Sequence, residues 1–201
     1  MFKNFFQTLS FFLILFIFSV GLAENLFAQK DELGDESWTV DERIGRYFYF
    51  THGTAVWGHE FGFFKDPNEC NADTIWLTFS SSEEKVKDFI GKDTVISLNV
   101  DGKDFKIKTP MLGAGTIGFT HVMTFTNLAA EQQLIDSLMN ARHVKVMIVE
   151  PKELEVLLDI KEDQFGLEGF AASRSEAGQI CRDNAPKTPQ KREALVLLSR
   201  Q

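Results

Sequence analysis

The stretch Phe165-Gly166-Leu167-Glu168-Gly169-Phe170-Ala171-Ala172 restricts the fold of this chain more than any other. Leu158, Ile160, Phe165 and Leu167 alternate with polar residues, the period of a strand. After Gly169 the period changes, and Phe170, Ala171, Ala172, Ala177 and Ile180 recur at helical spacing with charges between them. A strand that turns into a helix within a few residues lays that helix across the end or face of its own sheet. Cys181 closes the predicted helix, and the other cysteine of the chain is Cys70. Pairing the two ties the C-terminal part of the fold to a distant loop.

The N-terminus has the layout of a secretory signal peptide: Met1-Phe2-Lys3-Asn4, an apolar run from Leu9 to Ala23, then a small-residue exit at Ala23 or Ala28. The run of about 15 residues is shorter than the roughly 20 needed to span a bilayer as a helix. We expect residues 1–28 to be removed as a leader. Cleavage after Ala28 is favoured by the polar pair Glu24-Asn25, whereas Ala23 has Gly21 three positions back. An uncleaved anchor is the alternative. Residues 29–37 then form a flexible arm, 38–183 one domain, and 184–201 a loose tail. No second apolar span follows, so the processed chain is expected to be periplasmic or secreted, with no membrane span.

In an exported chain two cysteines imply a disulfide, Cys70–Cys181, closing a loop of about 110 residues and contributing up to about 4–5 kcal/mol. Two free or buried thiols are the other reading. The acids in Asn68-Glu69-Cys70-Asn71-Ala72-Asp73 disfavour a reactive thiolate. The formal charge of −8 repels phosphate backbones, and the basic residues of the tail, Lys187, Lys191 and Arg192, make no extended stripe. Nucleic acid is therefore not an expected partner.

Along the chain, Trp38 and Val40 begin a short strand. Arg46 to Thr51 is rich in strand formers, 52–54 reads as a turn, and 55–64 as the returning strand. Residues 74–80 alternate, and Ser81-Ser82-Glu83-Glu84 opens a short helix through Phe89. Asp101-Gly102 between the alternating runs 94–100 and 104–108 is the strongest hairpin signal present. Residues 110–118 read as a glycine-bearing connection, 119–125 as a strand, 129–139 as a helix, 143–149 as a strand and 153–160 as its hairpin partner. About eight strands joined by tight turns predict a mainly β fold: an antiparallel β-sandwich or small open barrel, with a short mid-chain helix and a C-terminal helix packed on it. An α+β single sheet with helices on one face is the alternative.

The Val-Asp-Gly turn in the 95–108 hairpin, its basic-apolar strand and following Pro110, the helix before a late strand, and the closing Phe-x-Leu-x-Gly-Phe-x-Ala segment carry a resemblance. Together with the leader, they make residues 38–181 resemble the invasion-associated locus B family of bacterial exported proteins. The chain departs from that family's pattern in its cysteine positions and its aromatic first hairpin. The resemblance implies an envelope-associated β-sandwich linked to host interaction or envelope function, with an envelope or host protein as partner. It implies no catalytic residues.

His52, His59 and Glu60, with His121 and His143 further on, are the candidate metal ligands, but their spacing matches no ligand motif. Neither a metal nor another cofactor is expected. No Gly-x-Ser-x-Gly elbow occurs, and the glycine run 113–118 lacks the Lys of a phosphate loop. The chain therefore reads as a non-enzyme that acts by protein interaction. The alternative is a periplasmic carrier of an apolar ligand or metal. Tyr47, Phe48, Tyr49, Phe50, Trp57, Phe61, Phe63 and Phe64 crowd one hairpin, and strict alternation buries only half of such a set. Core packing alone is the favoured account; in the alternative, Tyr47, Tyr49, Trp57, Phe61 and Phe63 are the candidates to face a ligand or partner.

Overall fold

The computed structural model describes residues 37–56 and 58–186. The predicted leader, most of the arm and most of the tail lie outside them, as does Trp57. The chain is mainly β, with one nine-stranded antiparallel open sheet in the order β1-β2-β3-β4-β7-β6-β5-β8-β9. The strands are β1 (Thr39–Arg43), β2 (Arg46–His52), β3 (Glu60–Asp66), β4 (Glu69–Ser81), β5 (Asp93–Val100), β6 (Lys103–Ile117), β7 (Thr120–Ala129), β8 (His143–Glu150) and β9 (Glu162–Gly166). A 3-10 turn, Glu84–Phe89, follows β4. The helices are α1 (Gln132–Asn140), α2 (Lys152–Glu155) and α3 (Phe170–Asn184). No helix among the described residues is long and apolar enough to cross a membrane.

Turn chemistry sets most of the register. Asp101 and Gly102 have φ of 45° and 92° and close the predicted β5–β6 hairpin, pairing Val100 with Lys103. Alternation then buries Ile96, Leu98 and Val100 and leaves Lys103, Lys106 and Lys108 outside.

β6 departs from expectation. The predicted connection 110–118 continues as strand, because β6 leaves β5 after Pro110 and pairs with β7 from Met111 to Ile117. A bulge between Met111 and Gly113 makes the change of partner. The predicted strand 153–160 is also corrected. Pro151 opens the short helix α2, and the strand that follows β8 and pairs with it is β9, with Val144 opposite Phe165. The returning strand of the first hairpin starts at Glu60, later than expected, and the described residues 53–56, 58 and 59 lie outside it.

The sheet curls until its far end meets the β2–β3 loop. Thr54 N donates to Gln164 O at 3.1 Å, and the Trp38 indole donates to Gly166 O at 2.8 Å. The Phe61 and Phe165 rings, from β3 and β9, lie 5.6 Å apart. One apolar core fills the concave side and draws on every strand from β2 to β9. α3 buries Phe170, Ala177 and Cys181 at helical spacing, and Phe170 packs against Trp38, Tyr49 and Phe63. Cys181 is joined to Cys70 on β4 by a disulfide, with Cα atoms 5.7 Å apart.

Candidate functional site

Two buried polar groups hold this fold together, and neither is a surface site. The first centres on Asp73 of β4. Its carboxylate accepts from the Tyr49 hydroxyl, from Lys65, and from Arg174 of α3 at 3.0 and 2.7 Å. Burial works against ionisation of Asp73, but the hydrogen bonds from Arg174, Lys65 and Tyr49 outweigh it and hold the carboxyl below its ordinary range. Burial pushes Lys65 down, and Asp73 offsets only part of that. Burial pushes the Tyr49 phenol far up, with the Asp73 charge adding to it, which favours the protonated, hydrogen-bond-donating form.

The second centres on Asp163 of β9, whose side chain is fully buried. It accepts from His59 Nδ1 at 2.8 Å and from the backbone amides of Thr54, Ala55 and Gln164 at 3.1, 3.0 and 2.8 Å. Burial opposes its charge; the His59 bond and these amides overcome that penalty and hold the carboxyl low. Gly53 is required here, because a Cβ would stand 2.2 Å from Asp163 Oδ2. Gly53, Thr54, Ala55 and His59 are thereby gathered on a carboxylate from the opposite end of the sheet.

A buried His–Asp pair is chemically able to act as a base. His59, however, is stacked on Phe79 at 4.3 Å and is 0% exposed, and its Nε2 has no hydrogen-bond partner among the described residues. In this conformation no substrate reaches it.

The candidate metal ligands are not brought together. His52 pairs across the strands with Glu60, but Glu60 is held by Arg43 and by the Trp76 indole, while His59 is committed to Asp163. Among the described residues no group of three His, Cys, Asp or Glu side chains is placed to hold a metal.

The aromatic candidates are corrected as well. Tyr47, Tyr49, Phe61 and Phe63 are core residues, 6%, 0%, 0% and 0% exposed, and face no partner. The surplus rings on the opposite face, Phe48, Phe50 and Phe64, cluster with Trp76. The Arg43 guanidinium lies 4.1 Å from the Phe50 ring centroid, and that of Arg46 lies 4.9 Å from that of Phe64. These cations cover the second cluster without a second sheet.

What the chain does expose is the far end of the β6–β7 hairpin. No charged side chain lies between Lys108 and Glu131. Gly118, at φ 61°, turns the hairpin in two residues, so Ile117 pairs with Thr120 and Phe119 stands at the tip. Phe119 is 96% exposed, and Leu112 and Ile117 are each 53% exposed. The sequence signal was the uncharged run itself, whose glycines suggested a loop.

The fold and these sites define a disulfide-linked, curled antiparallel β domain with an uncharged projecting hairpin. Comparison with family models, curated proteins and solved structures gave no match.

Proposed function

We propose that this chain is an exported, non-enzymatic envelope protein that acts by binding another protein, as its resemblance to the invasion-associated locus B family implies. The observation that carries this reading is the uncharged hairpin end with Ile117 and Phe119 in solvent on a chain of net charge −8. A large aromatic ring held at a tight turn is a costly thing to leave wet, and it is suited to anchor a partner. The carrier alternative has less support, since the rings that would line a binding surface pack against one another inside the core.

The test has two parts. Fractionation with N-terminal sequencing of the recovered protein should place it in the envelope and begin after Ala23 or Ala28. A photo-crosslinking residue at position 119 should give one discrete protein adduct in the native envelope, while the same residue at Ile44, 86% exposed on another turn, should not. Cytosolic full-length protein, or equal labelling from both positions, contradicts the reading.

A further inference from the structure

Three of the sheet's strand edges among the described residues are treated differently. β1 carries Asp41, Glu42 and Arg43 on its short length, the usual guard against unwanted pairing. β9 is covered by Thr54 and Trp38. The part of β6 beyond Met111 has neither protection. β5 pairs with β6 only as far as Pro110, and the backbone of residues 91 and 92 reaches β6 at Met111. From Leu112 onward β6 has β7 on one side alone.

The register says which groups are free. Ile117 and Thr120 flank a two-residue turn and so exchange hydrogen bonds, as do Gly115 and Val122 two residues on. The N–H and C=O of the intervening residues, Ala114 and Thr116, point away from β7 into the open edge. Glycine weakens a strand unless something approaches closely. Yet Gly113 and Gly115 need no positive φ, and a Cβ on either would meet no atom within 4 Å. Nothing within the described chain asks for glycine there.

We propose that this edge accepts an extended strand donated by the partner protein, hydrogen-bonded to Ala114 and Thr116 and placing a large apolar residue over bare Gly115, beside Ile117 and Leu112. This rests on the interaction reading above and names its chemistry. The added strand is uncharged at its centre, because the edge has no charge to match, and basic at its ends, because the chain as a whole carries −8.

The probe is the synthetic peptide Lys-Thr-Val-Phe-Val-Thr-Lys, capped at both ends, added to the full processed chain. Amide hydrogen exchange should slow about tenfold or more at Ala114 and Thr116 while Gly113 and Gly115, already bonded to β7, stay unchanged. The effect should weaken with added salt and with Glu in place of Lys. Ala114→Pro removes an outward N–H and leaves the β7 ladder intact, so it should abolish protection at Thr116 and the adduct from position 119 with a thermal midpoint shifted by a few degrees at most. Absence of alternate-residue protection, or an undiminished adduct in Ala114→Pro, overturns the proposal; an adduct that survives leaves the interaction reading standing without the edge. Protection that grows with protein concentration and no peptide assigns the edge to a second copy and overturns the assignment to a partner.

Discussion

Arg174 on α3 reaches Asp73 on β4, 101 residues earlier, and binds one carboxylate oxygen through both Nε and Nη2. This contact fixes the helix to the sheet beside the disulfide. It also neutralises a carboxylate that two further donors, Tyr49 and Lys65, already share. The Asp73→Ala change should therefore cost about 3–5 kcal/mol in denaturant unfolding, since it leaves a buried ammonium and a buried hydroxyl without an acceptor. Tyr49→Phe removes one donor and keeps the ring packing, and should cost about 1 kcal/mol. Equal losses for the two would contradict a hub centred on Asp73.

Asp163→Ala should cost about 3 kcal/mol, because it strips His59 and the amides of Thr54 and Ala55 of their acceptor where water does not replace it. The signature is local as well as global. Amide exchange in 53–59 should rise before that of β4 and β7, since the loop loses its tie to β9. Gly53→Ala should reproduce the effect by driving a methyl into Asp163.

The acid limb of stability follows from the same two carboxylates. Asp73 and Asp163 both titrate below their unfolded value of about 3.9. Each stabilises the fold above that value, and the contribution is lost as pH falls through the lower folded value. Unfolding free energy should change little on this account between pH 7 and 5 and fall below about pH 4. Asp163→Asn should flatten that limb while lowering the plateau. A limb unchanged in both Asp163→Asn and Asp73→Asn would refute the assignment.

Reduction of Cys70–Cys181 releases a crosslink spanning 111 residues. On chain entropy it should lower stability by up to about 4.7 kcal/mol. Limited proteolysis should then cut first near 167–169, where α3 joins β9, because Arg174 alone is left to hold the helix beyond its apolar face. A reduced protein that resists both denaturant and protease as well as the oxidised one would contradict this.

The fold was legible wherever local chemistry settles structure. Asp101-Gly102 announced its hairpin, and the change of period at Gly169 announced the step from β9 to α3. The pairing of Cys70 with Cys181 followed from there being two cysteines. Residues 113–118 misled because glycines that usually mark a loop lie here in a strand fixed by its neighbour β7. Residues 153–160 misled because an alternating pattern was overruled by the helix opening at Pro151. The site was less legible. His59 and Asp163 are 104 residues apart and meet only because the sheet curls. Core packing is the favoured reading of the aromatic hairpin, but the sequence does not reveal which face meets the core, nor that Arg43 and Arg46 cover Phe50 and Phe64 on the other.

On the proposed reading the uncharged hairpin end binds a protein partner. The most direct measurement is the affinity of the full chain for the protein captured at position 119, compared between the native sequence and Phe119→Ser. The predicted result is a loss of about 30-fold or more, a hot-spot effect of about 2 kcal/mol, with an unchanged unfolding midpoint. Equal affinity for the two chains, at equal stability, would contradict it.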